Sequence, residues 1–181
     1  MSNKKVLNIA VVGVNSFGVR HIRGIMELDC AKLVAICDTD EKILQERAAE
    51  FDIAKEDCYT DHRQMLKRED IDIVTVATPD PVHKLITVDA LKAGKHVLCE
   101  KPMAKTAAEA EAMLEAAKRT GKKLTIGYQN RQRKEMRHLK QICAEGALGD
   151  IYYAKAHAIR RRAVPTWGVF MDEEKQGGGP L

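Results

Sequence analysis

The stretch VLNIAVVGVNSFG, residues 6–18, limits what this chain can fold into more than any other segment. It is a nearly unbroken apolar run that ends at Gly13, followed by a short loop that closes at Gly18 and leads into a helical pattern. Gly13 suits a tight turn after a strand, and Gly18 allows a helix to pack close to that strand with its free N–H groups facing an anion. The stretch predicts half of a nucleotide site; the alternative is an ordinary turn between a strand and a helix.

Asn15 departs from the dinucleotide-binding pattern G-x-G-x-x-G, which has a glycine at this middle position. A side chain here narrows the approach of a pyrophosphate to the backbone. Because asparagine tolerates positive φ better than most residues, we still expect the loop to form.

Asp38 follows a second buried strand, residues 33–37, and lies at the spacing of ~20 residues after Gly18 that is typical of dinucleotide sites. A carboxylate at this strand end can accept both hydroxyls of an adenosine ribose, and its charge repels a 2′-phosphate. The position therefore favours NAD over NADP. The alternative is a helix cap, because Asp40 and Glu41 open another helical pattern.

Buried strands and amphipathic helices alternate along the rest of residues 1–127. Apolar runs at residues 71–77, 96–99 and 124–127 predict three more strands, with helical patterns between them. This alternation predicts an α/β fold with a doubly wound parallel sheet, the Rossmann fold.

Polar residues follow two of these strands. Thr78 and Pro79 end one strand and His83 opens the next helix, while Glu100 and Lys101 end the following strand. In open α/β sheets ligands bind at the carboxyl edge, so these residues are expected beside the glycine loop. For His83 a cap or surface position is the alternative, whereas an acid and a base at a buried strand end are costly without a function.

Composition argues against several classes of protein. Five cysteines without a C-x-x-C pair indicate neither a disulfide framework nor a metal site, and they fit a reduced, cytoplasmic protein. The net charge of +4 comes from interleaved basic and acidic residues, which argues against nucleic-acid binding. No apolar run reaches the length of a membrane span.

Residues 128–181 form the predicted beginning of a second domain, an α/β domain with an open sheet. After Asp150, residues 151–159 alternate in polarity like a strand of a different sheet. An unpaired strand edge seeks partners, so we expect a homo-oligomer that forms through this sheet; the alternative is that the strand stays disordered together with residues 160–181.

The segments AGKHVLCEKPMA, ATPDPVH, GYQNRQ and GALGDIYYAKA resemble the Gfo/Idh/MocA family, the relatives of glucose-fructose oxidoreductase and inositol dehydrogenase. The resemblance extends from Val6 to Leu181 and implies a Rossmann domain followed by an α/β domain with a large open sheet. It implies an NAD-dependent dehydrogenase that acts on a hydroxyl of a sugar or cyclitol.

The resemblance also implies site residues. Lys101 would touch the nicotinamide ribose and polarise the substrate hydroxyl as the catalytic residue. The cofactor would contact Gly13, Asn15, Ser16, Phe17, Gly18, Asp38, Thr78, Pro79, His83, Glu100, Lys101, Gln129 and Arg131. Trp167 and the arginines before it fall where the family sends a loop toward the site; a solvated strand end is the alternative.

In the family, the sequence GGGPL is followed at once by an aspartate and a histidine that handle the substrate proton. This chain ends at Leu181, so we expect the N-terminal part of an oxidoreductase that is inactive alone. Two alternatives stay open: a glycosidase that uses bound NAD for a transient oxidation, and a non-catalytic dinucleotide-binding remnant. A methyltransferase also favours an acid after its second strand, but the EKP strand end argues against it.

Overall fold

The computed structural model describes residues 5–159 together with Arg161 and Asp172. Six parallel strands form one sheet in the order β3-β2-β1-β4-β5-β6. The strands are β1 (Leu7–Val12), β2 (Ala31–Cys37), β3 (Cys58–Tyr59), β4 (Ile73–Val76), β5 (His96–Cys99) and β6 (Leu124–Ile126).

Helices connect the strands and cover both faces of the sheet. They are α1 (Ser16–Met26), α2 (Glu41–Glu50), α3 (His62–Met65), α4 (His83–Lys92), α5 (Ala107–Thr120) and α6 (Lys134–Ala144). Short 3-10 helices occur at Lys55–Asp57, Asp80–Val82 and Gln129–Gln132. Within residues 5–159, no helix has both the length and the apolar character needed to cross a membrane.

The core has two layers, one on each face of the sheet, because successive side chains of a strand point in opposite directions. Ala10 and Val12 of β1 belong to the layer that α4 and α5 cover, while Ile9 and Val11 belong to the layer beneath α1 and α2. Both faces of a parallel sheet are buried in this way, which explains the nearly continuous apolar runs in the sequence.

The strand order places the candidate site. From β1 the chain moves outward through β2 and β3, and it then returns to β4 on the other side of β1. The loops after β1 and β4 therefore diverge and leave a crevice at the carboxyl ends of these strands, where doubly wound folds bind ligands.

The predicted fold class, a doubly wound parallel sheet of the Rossmann type, is confirmed. The sequence-based prediction missed β3, which has only two residues, Cys58 and Tyr59, and so shows no periodicity. The predicted strand over residues 151–159 does not form, and Tyr152 is 98% exposed. No strand among the described residues lies beside it, and a strand is stable only when a neighbour pairs its backbone groups. Trp167 lies outside the described residues.

Candidate cofactor site

The glycine loop joins β1, α1 and β4 more closely than other residues would permit. Gly13 has φ +84°, and a Cβ atom there would lie 2.7 Å from the Ala77 carbonyl oxygen and 2.8 Å from the Thr78 nitrogen. A Cβ atom on Gly18 would lie 1.8 Å from the carbonyl oxygen of Gly13. Both positions therefore require glycine: Gly13 for the turn against β4, Gly18 for the approach of α1.

Asn15 shapes the loop in a way that the sequence did not indicate. Its backbone is extended, with φ −88°, and the positive φ falls instead on Ser16, at 28°. The Asn15 side chain caps α1 by accepting a hydrogen bond from the Ser16 N–H at 2.8 Å. The loop therefore forms as expected without a positive φ at Asn15, which is the N-cap residue of α1, a role that asparagine favours.

Asp38 holds the glycine loop with its carboxylate. One oxygen accepts a hydrogen bond from the Val14 N–H at 2.9 Å, and the other accepts one from the Asp40 N–H at 3.0 Å. Asp40, rather than Asp38, caps α2, because it accepts bonds from the first N–H groups of that helix. The Asp38 carboxylate thus lies beside the crevice, and each oxygen keeps a lone pair for a further donor.

Thr78 lies on the opposite side of the crevice, where β4 ends. In the part of the chain that the structure describes, its buried hydroxyl has no hydrogen-bond partner. Buried polar groups normally have a partner, so an unpaired hydroxyl beside the glycine loop fits a site that a polar ligand completes. Pro79, the next residue, ends the strand and precedes the 3-10 helix Asp80–Val82.

His83 does not reach the crevice. Its side chain is completely buried; Nδ1 lies 2.8 Å from the Pro102 carbonyl oxygen, and Nε2 lies 2.8 Å from that of Thr78. No ring nitrogen is left for a cofactor. The predicted contact between His83 and the cofactor is thus replaced by a bridge between the loops that follow β4 and β5.

Glu100 pairs with a residue that the sequence analysis did not select. Its Oε1 lies 2.8 Å from Nε2 of His21 on α1, and its Oε2 accepts a hydrogen bond from the Lys101 N–H at 3.1 Å. Gly127, after β6, leaves room for this carboxylate, since a Cβ there would lie 3.0 Å from Oε1. The only available signal for His21 was its place one helical turn after Gly18, on the helix that opens at the sheet edge.

A cavity of about 480 Å³ opens where β5 and β6 end. Its walls include Phe17 and His21 of α1, Glu100 after β5, and Gln129. The structure therefore brings Glu100, Gln129 and Phe17, which come from three separate parts of the sequence, to one cavity; their contact with a cofactor stays a prediction. An adjoining groove is lined by Arg131, Asn130, Gln132, Met136, Arg137 and Lys140.

Lys101 is exposed directly after Glu100, and its peptide bond to Pro102 is cis. Nearby, burial raises the pKa of Asp80, while the charges of Lys101 and Lys105 act in the opposite direction. The end of β5 thus carries an acid, Glu100, which lines the cavity, and directly after it a base, Lys101, which is exposed.

The other candidate reactive groups are inert or absent. Burial raises the pKa of the Cys37 thiol and that of the Cys99 thiol to about 12, so neither forms the thiolate that a nucleophile requires. Across the described residues, no group of three or more histidine, cysteine or acidic side chains could hold a metal ion.

Comparisons with known proteins agree with this geometry. The family model GFO_IDH_MocA, described as an oxidoreductase family with an NAD-binding Rossmann fold, matches residues 7–128. The chain is 35% identical over 176 residues to a D-glucoside 3-dehydrogenase of Escherichia coli, an alignment that covers 97% of this chain and 50% of the relative. It is 30% identical over 191 residues to an alpha-N-acetylgalactosaminidase of Shewanella oneidensis, covering 96% of this chain and 41% of the relative.

Among solved structures, the WlbA dehydrogenase of Bordetella pertussis, in complex with NADH and UDP-GlcNAcA, resembles the chain with a TM-score of 0.76. The two are 29% identical, and the match covers 84% of this chain and 43% of that one. The chain spans about half the length or less of the relatives that it matches.

Proposed function

The chain belongs to the Gfo/Idh/MocA family of oxidoreductases with an NAD-binding Rossmann fold, and we propose that it serves hydride transfer from a sugar or cyclitol hydroxyl to NAD. NAD, when bound, supplies the hydride acceptor. The residues of this chain bind the cofactor, orient it and place charge beside the reacting hydroxyl.

The glycine loop at the crevice is the observation that carries this proposal. Gly13 and Gly18 bring β1, α1 and β4 together so tightly that no side chain fits, and the crevice opens directly above them. On the same edge Thr78 offers a buried hydroxyl that has no hydrogen-bond partner among the described residues. In dinucleotide sites the first glycine makes the tight turn and the third lets the helix pack close to the strand, the roles of Gly13 and Gly18 here, and the pyrophosphate lies at the helix N-terminus that they position.

Asp38 supports the choice of NAD over NADP. Its carboxylate is fixed by the N–H groups of Val14 and Asp40, so it cannot easily turn away from the crevice. A fixed negative charge beside the adenosine ribose accepts its hydroxyls and repels a 2′-phosphate.

Lys101 is proposed to polarise the hydroxyl that is oxidised. It is an exposed cation directly beside Glu100, whose carboxylate forms part of the cavity wall together with His21. A positioned cation stabilises the negative charge that develops on an alcohol oxygen as its proton leaves.

A glycosidase that uses bound NAD is the second candidate, favoured by the similarity to an alpha-N-acetylgalactosaminidase. Both activities would use the same cofactor crevice. They differ in product, since a glycosidase releases a sugar without net formation of NADH.

Titration calorimetry with NAD and NADP, followed by a panel of polyols, cyclitols and sugars monitored by NADH absorbance, tests the proposal. Turnover is measured on the longest natural form of the protein, because this chain spans about half the length of its relatives. Lys101→Ala should lower turnover by roughly 100-fold or more while NAD still binds. Lys105→Ala, the same change in the same loop, is the control.

Three results would contradict parts of this proposal. A wild-type chain that binds neither nucleotide would remove the cofactor assignment. Unchanged turnover in Lys101→Ala would remove Lys101 from the mechanism. Sugar release from a glycoside without net NADH would favour the glycosidase.

A further inference from the structure

A histidine–carboxylate pair lies in the wall of the cavity, where α1 passes the end of β5. Nε2 of His21 lies 2.8 Å from Oε1 of Glu100. Both side chains line the cavity and are largely buried, with 23% of the His21 side chain and 13% of the Glu100 side chain exposed. A hydrogen bond to a carboxylate is stronger than one between neutral groups, and burial reduces competition from water. The contact is therefore strong enough to fix the position of the Glu100 side chain.

The Glu100 carboxylate is enclosed from three directions. Oε1 faces His21, and Oε2 accepts a hydrogen bond from the Lys101 N–H at 3.1 Å. On the β6 side lies Gly127, where a Cβ atom would come within 3.0 Å of Oε1 and 3.1 Å of Oε2. The backbone is fixed as well, because the Glu100 N–H donates to the Val76 carbonyl oxygen of β4 at 2.8 Å. Groups from separate parts of the chain thus hold the carboxylate in one position.

The pair is not needed to hold α1 on the sheet. Ile22 and Ile25 of the same helix are buried in the core, and Gly18 lies against the Gly13 carbonyl group. Replacing a buried polar or ionic pair by apolar residues is often neutral or stabilising, so anchorage alone gives no reason for a histidine here. The place of the pair in the cavity wall points instead to a role in the site.

We propose that His21 is a positioning residue for the loop after β5. By holding Oε1 of Glu100, it keeps Oε2 on the Lys101 N–H and so sets the direction in which Lys101 leaves the strand. The same helix begins beside the glycine loop, at Ser16, so His21 links the two halves of the crevice through one rigid element. That this link orients Lys101 toward a reacting hydroxyl rests on the proposed function; the link itself does not.

Amide hydrogen exchange of Lys101, measured by nuclear magnetic resonance on the chain without nucleotide, tests the link. His21→Ala frees the Glu100 carboxylate, so exchange of the Lys101 N–H should become roughly tenfold faster, as expected for the loss of about one hydrogen bond. His21→Gln should restore slow exchange, because the glutamine amide also offers an N–H donor. Arg23→Ala is the matched control: Arg23 lies on the same helix but bonds Glu50 at 2.9 Å, so exchange at Lys101 should not change.

Glu100→Ala separates an action through Glu100 from a general loosening of α1. It removes the acceptor of the Lys101 N–H, so adding His21→Ala to it should cause no further increase in exchange. Faster exchange in the double variant than in Glu100→Ala alone would overturn the proposal. Unchanged exchange in His21→Ala, or an equal increase in Arg23→Ala, would overturn it as well.

Turnover of the longest natural form of the protein tests the part that rests on the proposed function. Because Lys101 is misdirected rather than lost, His21→Ala should lower kcat by roughly tenfold, with little change in the KM for NAD. In a Lys101→Ala background, His21→Ala should have no further effect on kcat. An unchanged kcat in His21→Ala would overturn the orienting role of His21. A wild-type protein without dehydrogenase activity would contradict the proposed function, while the exchange rates would still decide whether His21 positions the loop.

Discussion

At the scale of single residues, Asp38 combines a structural contact with the proposed recognition of the cofactor. Its carboxylate bonds the N–H of Val14, inside the glycine loop, and that of Asp40, at the start of the α2 connection. Loss of the carboxylate therefore removes a loop contact as well as a ribose acceptor. The affinity for NAD alone would not distinguish the lost loop contact from the lost ribose acceptor, whereas the ratio of the affinities for NAD and NADP separates the two effects.

Asp38→Ala should weaken NAD binding by about 1–3 kcal/mol, the typical cost of an unmade charged hydrogen bond, and should weaken NADP less. Parallel titrations of both nucleotides measure the ratio. Asp40→Ala is the control, because it removes the cap of α2 at a cost of about 1 kcal/mol in stability and should leave the ratio unchanged. An unaltered preference in Asp38→Ala would refute the ribose role.

At the scale of elements, α1 is the helix on which the site depends. Its first turn closes the glycine loop, Gly18 lies against the Gly13 carbonyl, and His21 reaches across to Glu100. The helix also buries Ile22 and Ile25 against the sheet. A small displacement of α1 would therefore disturb the loop and the cavity wall together.

Gly18→Ala and Gly24→Ala place the same methyl group on the same helix with opposite expected results. At Gly18 the methyl group meets the Gly13 carbonyl, so α1 must shift, and the free energy of unfolding should fall by about 1–3 kcal/mol or more, with loss of NAD binding. At Gly24 no described atom apart from the neighbouring residues and the backbone of the helix itself lies within 4 Å of the added methyl group, so alanine should stabilise the helix by about 0.5–1 kcal/mol. Urea unfolding and NAD titration measure both; a well-bound cofactor in Gly18→Ala would contradict the close-approach argument.

At the scale of the whole molecule, Arg68 ties distant parts of the fold together near the amino ends of β4 and β5. Its guanidinium donates to the Val34 carbonyl of β2 at 2.9 Å, to Asp57, and to both carboxylate oxygens of Asp70. Lys95, which is buried before β5, donates to the backbone carbonyl of Arg68 at 2.6 Å. This network holds the edge of the sheet opposite the cofactor crevice.

Arg68→Met should lower the free energy of unfolding at pH 7 by about 1–2 kcal/mol, a value that allows for the half-exposed side chain of Asp70. The hydrogen bonds of Arg68 lower the pKa of the Asp70 carboxyl in the folded state. Their contribution to the free energy of unfolding is therefore present above the pKa of Asp70 in the unfolded chain, about 4, and is lost as the pH falls through its pKa in the folded state. The difference in the free energy of unfolding between wild type and Arg68→Met should therefore shrink below about pH 4.

Urea titrations at a series of pH values from 7 down to 3.5 measure this difference. Arg63→Met is the control, because the Arg63 side chain is exposed and bonds Asp89 at 3.4 Å. A constant difference between wild type and Arg68→Met across the series would contradict the link to Asp70.

Most of the fold could be predicted from the sequence, because it depends on runs of neighbouring residues. Apolar runs mark strands that are buried on both faces. Gly13 marks the turn after β1, Gly18 marks the close approach of the helix that follows, and Asp38 marks the end of β2 through its spacing from Gly18. The family follows from segments of the same kind. Short or unpartnered segments could not be predicted: β3 has too few residues for a period, and residues 151–159 have the period but no neighbouring strand in the described part of the chain.

The site contacts depend on tertiary structure alone. His21 and Glu100 are 79 positions apart and meet only because α1 packs beside the end of β5. The sequence places His83 beside the cofactor or, as the alternative, at a cap or surface position; only the packing shows that its ring is buried and lies 2.8 Å from the Pro102 carbonyl oxygen. By itself, the sequence determined five of the six strands, the glycine loop and the family. Which side chains face one another was decided by the order of the strands, because that order sets which distant residues share an edge.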